Sequence, residues 1–349
     1  MKDVLMLGND PSVKGGITTV INQFKEHKWE NVRLEFIPTY KDNNAIVKIL
    51  FFLIAYIRII FKFIFSKPDI VHMHMSYKAS FTRAYMIHKL CKFFNIKDII
   101  HLHGSEFKKW YDSCKFDKKE KIKKLLRECY IMVVLGAEWE SRIKKIEPNT
   151  NILVVNNKVK LQNEFVEYSN EYFNVLFLGV LIKRKGINDL LEAIRILKNR
   201  NSLNNIKFII TGNGEEENKL KKLAKLYNIN ESIIFTGWIN GDKKNDIIKK
   251  SHLMVLPSYN EGLPMSILES MSFGLPIIAT NVGDVSEAVI NERNGYLVDV
   301  GNPIMLANCI EKIIRMPKDE WERMSNESKK IINAKFSDSN YFDIFEKIY

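Results

Sequence analysis

Two glutamates, Glu261 and Glu269, lie in a stretch whose pattern predicts a strand, a glycine turn and a short helix over residues 253–276. The N–H groups of residues 263–266 would point out of the helix start, a position that attracts phosphate. In one continuous helix the two carboxylates would be roughly 12 Å apart along the axis, too far for a hydrolase pair that shares one bond. Because Glu261 precedes the helix, it could instead turn towards a ligand at the helix start. An ordinary loop glutamate and an ordinary helix glutamate fit the stretch equally well.

Four histidines alternate along two predicted strands, with His72 and His74 on one strand and His101 and His103 on the next. Such same-face pairs could suggest zinc, but no cysteine or carboxylate cluster with ligand spacing accompanies them. We therefore expect no metal. Polar residues at the C-terminal ends of parallel strands are a common place for ligand binding in doubly wound sheets. His103, which precedes Gly104, has the best position for that role.

Strand and helix patterns alternate in two sets that are separated by the polar residues 157–173. Two such sets predict an α/β fold with two Rossmann-like, doubly wound parallel sheets. We place the first domain at residues 1–165 and the second at residues 174–335. Near the start of the chain, the glycine pair that ends in Gly16 lies between a predicted strand and a helix, which fits either a phosphate cradle or a plain tight turn.

The formal net charge of +12 is concentrated in the first half of the chain. Residues 1–170 hold 29 Lys and Arg against 18 Asp and Glu, a net charge of +11. Such a surface predicts an anionic partner: nucleic acid, anionic lipid or a phosphorylated substrate. No nucleic-acid-binding module is recognisable, so we expect no nucleic acid. The four cysteines have irregular spacing and the first residues lack a signal-peptide layout, which together favour a cytoplasmic protein with reduced thiols.

Two predicted helices of the first half could contact a membrane. Residues 46–65 are apolar except for Lys48, Arg58 and Lys62, which fall within one arc of about 80° on a helical wheel. The cations argue against a membrane span, so this helix either packs on a sheet with one wet edge or lies flat on a membrane. Residues 108–127 carry nine bases and predict a basic amphipathic helix, which is either a solvated face or a contact to an anionic surface.

Four motifs in order resemble the retaining glycosyltransferases of GT-B architecture that are called glycosyl transferases group 1, or family four. The motifs are Phe177-Leu-Gly-Val-Leu-Ile-Lys-Arg-Lys-Gly186, Gly212-Asn-Gly214, Phe235-Thr-Gly237 and the segment from Glu261-Gly-Leu-Pro to Glu269. The resemblance implies two facing domains, the first binding the acceptor and the second the nucleotide sugar. It also implies that a last helix, residues 336–349, packs back on the first domain.

The resemblance assigns each site residue a role. Arg184 and Lys185 would stabilise the diphosphate leaving group, Glu261 would lie beside the donor sugar with His103 nearby, and Glu269 would bind the ribose. These four groups, Glu261, His103, Arg184 and Lys185, are the implied catalytic residues. The implied donor-binding residues are Gly16, Gly212, Gly262, Leu263, Met265 and Glu269.

The activity so implied is the transfer of a hexosyl or N-acetylhexosaminyl group from a nucleotide diphosphate sugar, most simply a UDP-sugar. The acceptor would be lipid-linked or a cell-surface polysaccharide, at the inner face of a bacterial cell membrane. No Asp-x-Asp motif occurs, so we expect a metal-independent reaction without a cofactor. The alternatives are an epimerase or another enzyme of the same architecture, which lacks motif support, and a non-enzymatic nucleic-acid binder.

Overall fold

The computed structural model describes residues 1–169, 171–337 and 341–349, which form two α/β units. The first unit contains residues 1–157 and 341–349, and the second contains the described residues from 158 to 337. Residues 158–165, which the sequence analysis places with the first domain, therefore lie in the second unit. There the Val159 N–H donates to the Phe336 carbonyl at 2.9 Å and the Val166 N–H donates to the Phe273 carbonyl at 3.0 Å. Asn170 of the predicted linker lies outside the described residues.

The first unit is built on a six-stranded parallel sheet with the strand order β2-β1-β3-β4-β5-β6. Its strands are β1 (Lys2–Asn9), β2 (Val32–Tyr40), β3 (Ile70–Met75), β4 (Lys97–Leu102), β5 (Ile131–Val134) and β6 (Ile152–Val154). Its helices include α1 (Gly16–Glu26), α2 (Ala45–Phe65), α3 (Ala79–Phe93), α4 (Phe107–Ser113), α5 (Phe116–Glu128) and α6 (Ala137–Ile146). The inner strands are largely buried on both faces, as expected for a parallel sheet covered on both sides, and β3 and β4 carry buried histidines on one face.

The second unit repeats this plan, with the strand order β12-β11-β10-β7-β8-β9. Its strands are β7 (Phe173–Leu178), β8 (Ile206–Thr211), β9 (Ile233–Gly237), β10 (Leu253–Leu256), β11 (Ile277–Thr280) and β12 (Gly295–Val298). Its helices are α7 (Ile187–Asn199), α8 (Glu217–Leu226), α9 (Gly241–Lys249), α10 (Met265–Ser272), α11 (Val285–Ala288), α12 (Pro303–Ile314) and α13 (Lys318–Ile331). Short 3₁₀ turns cover Lys183–Lys185 and Asn230–Ser232, and a π-helical segment covers Ile332–Phe336.

The last helix, α14 (Tyr341–Ile348), belongs to the first unit. The Phe345 ring lies edge-on to the Phe24 ring of α1, with centroids 4.7 Å apart. The Tyr349 hydroxyl lies 2.5 Å from Nδ1 of His72 in β3. Within the predicted helix 336–349, Phe336 ends the π-helical segment of the second unit, and residues 338–340 lie outside the described residues.

The predicted α/β fold with two Rossmann-like units is confirmed. Each sheet has a point where the strand order reverses: β1 lies between β2 and β3, and β7 lies between β8 and β10. Open parallel sheets bind ligands beyond the C-terminal strand ends at such a point. The predicted basic helix over residues 108–127 is two helices, because Cys114 between α4 and α5 has an extended backbone. Among the described helices, none has both the length and the hydropathy that crossing a membrane requires.

Candidate active site

Three loops pack against one another at the C-terminal edge of the second sheet, after β7, β8 and β10. Gly186 and Gly212 make this packing possible, because a Cβ atom on Gly186 would lie 1.8 Å from the Pro257 carbonyl oxygen, and one on Gly212 would lie 1.9 Å from the Gly179 carbonyl oxygen. Both glycines also have positive φ angles, 67° and 135°, which residues with a side chain rarely adopt. The glycines of the motifs therefore hold the three loops in contact.

Lys185, Arg184 and Glu261 meet where the strand order of this sheet reverses. The 3₁₀ turn Lys183–Lys185 follows β7, and Glu261 follows β10, the strand on the other side of β7 from β8. Lys185 Nζ donates to Glu261 Oε1 at 2.6 Å, and Arg184 Nη1 lies 3.6 Å from Glu261 Oε2. Arg184 also donates to the Asn260 carbonyl at 2.6 Å. We call Arg184, Lys185 and Glu261 the charged triad.

Glu261 is buried, yet it is an ionised group. Burial alone would raise the pKa of its carboxyl, but the opposing effects of Lys185 and Arg184 prevail and hold that pKa below its ordinary value. The charged triad therefore has a net charge of +1 at neutral pH. A site with fixed cations and a net positive charge suits an anionic ligand.

The start of α10 lies beside the charged triad along the chain. The helix begins at Met265 after Pro264, whose carbonyl accepts from the N–H groups of Ile267 and Leu268. The sequence analysis expects free N–H groups on residues 263–266. That expectation is wrong for Pro264, because proline has no N–H. Met265 and Ser266 present N–H groups in the first turn, where no residue of the helix can accept from them.

A second loop fixes the backbone of the segment before α10. A Cβ atom on Gly283 would lie 2.2 Å from the Glu261 carbonyl oxygen, and Gly283 has a φ of 57°. The next residue, Asp284, donates its N–H to the Gly262 carbonyl at 3.2 Å. The loop that carries Gly262 and Leu263 is therefore held by contacts with Gly283 and Asp284 as well as by its own turn.

Glu269 lies one turn into α10, and its carboxylate is paired. Lys244 Nζ of α9 donates to Glu269 Oε1 at 2.7 Å, and both side chains are mostly buried. The sequence analysis does not single out Lys244, because it is one of several bases in a polar helix and nothing in the local pattern distinguishes it. A carboxylate held by a neighbouring lysine has a fixed orientation and can still accept hydrogen bonds from hydroxyl groups.

His103 and Gly16 belong to the first unit, and the other predicted site residues belong to the second. Gly16 begins α1 directly after β1, where the Thr18 N–H donates to the Gly15 carbonyl at 3.1 Å. His103 follows β4, is partly buried, and lies with Nε2 2.9 Å from His74 Nδ1. Burial lowers the pKa of His103 to about 3, so its imidazole is neutral at pH 7 and can exchange hydrogen bonds with a hydroxyl group.

His72, His74 and His101 lie together under His103, with candidate metal-ligand nitrogens within 4.8 Å of one another. Two ligands of one tetrahedral zinc ion are about 3.4 Å apart, given Zn–N bonds of about 2.1 Å. The His72 and His74 rings stack on His101 with interplanar angles of 12° and 27°. Imidazole lone pairs lie in the ring plane, so stacked rings direct them side by side. This geometry favours a stack of neutral rings over a zinc site.

Residues 159–331 match the family described as glycosyl transferases group 1. An uncharacterised glycosyltransferase of Methanocaldococcus jannaschii is 30% identical over 170 residues, or 48% of this chain and 42% of that protein. An uncharacterised glycosyltransferase of Haemophilus influenzae is 32% identical over 204 residues, or 57% of this chain and 55% of that protein. The chain thus spans about half the length of these two relatives. A UDP-Gal:alpha-D-GlcNAc-diphosphoundecaprenol alpha-1,3-galactosyltransferase of Escherichia coli is 26% identical over 87% of this chain and 80% of that protein.

Two solved structures show the same fold over the whole chain. Sucrose-phosphate synthase from Thermosynechococcus elongatus aligns with a TM-score of 0.85 at 16% identity, covering 100% of this chain and 98% of that one. HepE of Anabaena in complex with UDP-glucose aligns with a TM-score of 0.76 at 15% identity, covering 100% of this chain and 99% of that one. At this level of identity the likeness is one of fold.

Proposed function

The chain belongs to the glycosyl transferases group 1 family, and we propose that it transfers a sugar from a nucleotide diphosphate sugar to an acceptor hydroxyl with retention of the anomeric configuration. The observation that carries this proposal is the charged triad beside the start of α10, at the reversal of strand order in the second sheet. Two fixed cations lie there, and the first-turn N–H groups of α10 follow Glu261 closely in the chain; both kinds of group suit an anionic diphosphate.

The chemistry follows from the charge that develops as the reaction proceeds. The bond between the sugar C1 and the diphosphate oxygen breaks, and the diphosphate leaves with that electron pair. Arg184 and Lys185 would stabilise its growing negative charge without reorganisation, because packing of the loops already holds them. The acceptor oxygen forms the new bond to C1 on the face that the diphosphate leaves. A phosphate oxygen takes the acceptor proton.

Glu261 and Glu269 would bind the remaining parts of the donor. Glu269, oriented by Lys244, would accept hydrogen bonds from the ribose hydroxyls, and Glu261 would lie beside the donor sugar. Residues 262–265 would contact the diphosphate through their backbone. Gly16 and His103 would act from the first unit, His103 as a neutral hydrogen-bonding group near the sugar.

We propose a UDP-sugar, hexosyl or N-acetylhexosaminyl, as the donor and a lipid-linked or cell-surface saccharide as the acceptor. The Escherichia coli relative that covers most of the chain has a name with UDP-Gal as donor and a diphosphoundecaprenol-linked sugar as acceptor, and the Anabaena neighbour binds UDP-glucose. The reaction would need no metal and no cofactor, since Arg184 and Lys185 supply the charge that a metal ion otherwise brings. The protein would work in a bacterium, on the cytoplasmic face of the membrane.

Thermal unfolding in the presence of nucleotide diphosphates tests the proposal. UDP should raise the unfolding temperature more than GDP or ADP at equal concentration, because only the native state binds it. EDTA should leave the shift and the transfer rate unchanged. A chain that no nucleotide diphosphate stabilises would overturn the proposal, and a rate that EDTA abolishes and Mn²⁺ restores would overturn the metal-free mechanism.

A further inference from the structure

Helix α2 is attached to its unit by a narrow stripe of its surface. Only Phe52, Ala55, Ile59 and Phe63 are buried, and their spacing of three and four residues keeps them on one side of the helix. The helix is 21 residues long, which corresponds to about 31 Å. Most of its circumference is therefore available to a partner.

The exposed side of α2 is apolar. Six side chains that follow one another along its middle are each at least 45% exposed, namely Ile49, Leu50, Leu53, Ile54, Ile57 and Phe61. On a helical wheel they fill an arc of about 140° that is centred opposite the buried stripe. We call these six residues the α2 apolar face. Single exposed apolar residues are ordinary, but a contiguous face of this kind marks an interaction surface.

The apolar surface continues beyond the end of α2. Phe65 is 78% exposed at the last position of the helix, and Phe93, the last residue of α3, is 82% exposed. The two helix ends are joined by Phe94, whose ring packs on Phe63 of α2 with centroids 5.6 Å apart. Two helices thus expose large aromatic side chains near the C-terminal end of α2.

One cation of α2, Arg58, lies on the flank of the apolar face. On the helical wheel Arg58 falls about 40° beyond the edge of that face, whereas Lys62 falls beside the buried stripe and Lys48 falls within the arc of the stripe. Lys48 pairs with Asp42 at 2.9 Å and Lys62 with Glu35 at 2.5 Å, while the exposed Arg58 forms no ion pair with any described residue. A base beside an apolar face places positive charge at headgroup level when that face enters acyl chains.

The bases of residues 108–127 are a weaker candidate for this contact. Lys108 pairs with Asp112 at 2.6 Å, Lys123 with Glu120 at 3.1 Å, and Arg127 with Glu147 at 3.4 Å. Lys118 donates to Thr82 at 3.2 Å. The apolar residues Ile122, Leu125 and Leu126 of α5 are buried, so these bases do not flank an exposed apolar face like that of α2.

We propose that the α2 apolar face, with Phe65 and Phe93, inserts into the surface of an anionic lipid bilayer and holds the helix flat on it. The inference deepens the proposed function, on which it rests for the lipid-linked acceptor, by assigning the membrane contact to particular residues. The bilayer is the occupant that matches both observations, since acyl chains take the apolar face and anionic headgroups take the flanking Arg58. An interface with a second copy would use the apolar face alone.

Co-sedimentation with vesicles tests the assignment. Wild-type protein should bind vesicles of phosphatidylcholine and phosphatidylglycerol, and the variant Ile54→Ser, Ile57→Ser, Phe61→Ser should bind at least about 100-fold more weakly because it loses three inserted side chains. Arg58→Glu should weaken binding to these vesicles and leave binding to pure phosphatidylcholine unchanged. The matched control is Leu226→Ser, Ile234→Ser, Ile304→Ser, which removes three exposed apolar side chains from the second unit and should bind as the wild type does.

Each other outcome overturns the assignment. Wild-type protein that stays in the supernatant, or a triple α2 variant that binds as tightly as the control, would exclude the bilayer contact. A wild-type dimer that the α2 variant converts to a monomer, with vesicle binding unchanged, would assign the face to a second copy. UDP-induced thermal stabilisation, measured on the same proteins without vesicles, should be equal in all of them, so a failure of the proposed function is seen separately.

Discussion

Substituting Lys185 and Glu261, singly and together, separates the structural role of their ion pair from its role in ligand binding. Lys185→Met leaves a buried carboxylate whose remaining cation, Arg184, is 3.6 Å away. Breaking a buried pair costs about 3–5 kcal/mol when no other partner remains. Because Arg184 remains, we expect Lys185→Met to lower the free energy of unfolding by about 2–3 kcal/mol.

The double variant Lys185→Met, Glu261→Gln should recover part of this loss. It has neither a buried unpaired carboxylate nor the lysine, so the two single effects should not add. We expect a coupling free energy of about 2 kcal/mol, within the range for residues in direct contact. Denaturant unfolding of the wild type, both single variants and the double variant gives this value.

Binding of UDP to the same four proteins should follow a different order. Loss of the charge-assisted hydrogen bond from Lys185 costs about 1.5–3 kcal/mol, which is a roughly 10- to 150-fold rise in Kd. Glu261→Gln raises the charge of the triad from +1 to +2, so it should bind UDP as tightly as the wild type or more tightly, while losing transfer. The double variant should be more stable than Lys185→Met and still bind UDP weakly. A double variant that regains wild-type affinity would show that Lys185 acts on UDP only by keeping the loop folded.

Three further predictions concern stability and the ribose contact. Burial lowers the pKa of His72 and His103 to about 3, and the pKa values of His74 and His101 lie well below the ordinary 6.5. Between about pH 6.5 and 3 the unfolded chain therefore binds more protons than the folded chain does. The free energy of unfolding should fall as the pH falls through this range, by up to about 1.4 kcal/mol per pH unit for each histidine. Denaturant titrations at pH 7, 6 and 5 that give equal values would contradict this. In thermal unfolding, Gly186→Ala should destabilise the protein by clearly more than Gly237→Ala does. Both sites have a φ near 70°, but only at Gly186 would a Cβ atom meet a carbonyl oxygen. Equal losses of stability would mean that the contact between the loops is unimportant. Measured by calorimetry, Glu269→Gln should weaken UDP binding more than it weakens pyrophosphate binding. An equal loss of affinity for both ligands would contradict the assignment of Glu269 to ribose binding.

The sequence is sufficient to predict the loops of the second unit because their signals are local. Gly212 directly follows β8, whereas Gly186 directly precedes α7 and the Gly262–Pro264 turn directly precedes α10. Where two backbone segments approach closely, only glycine fits, so such a glycine indicates the contact in the sequence. Strands β1 and β5 of the first unit have an equally simple pattern, a short apolar run that is covered on both faces.

The contacts that the sequence does not predict are tertiary contacts between residues that lie apart in the chain. Lys244 is the partner of Glu269, yet its neighbour Lys243 has the same side chain, and only the packing of α9 against α10 distinguishes them. The contact of Arg127 with Glu147 joins residues twenty positions apart, so the basic segment looks more available in the sequence than in the fold. Helix α3 follows Lys78, which has a φ of 55° and no capping side chain, so its start has no recognisable signal.

The position of the charged triad shows why its glutamate is compatible with an anion site. In both sheets the order of strands reverses beside the first strand, and in the second sheet the loops after β7 and β10 meet there. A buried lysine or arginine with no opposite charge nearby would be costly. Glu261, from the loop after β10, compensates Arg184 and Lys185 from the loop after β7 without cancelling them, which leaves a charge of +1. In the proposed reaction a diphosphate leaving group gains negative charge as the sugar departs, so a site that is held together by its own ion pair and still has a net positive charge would stabilise the transition state more than the bound donor.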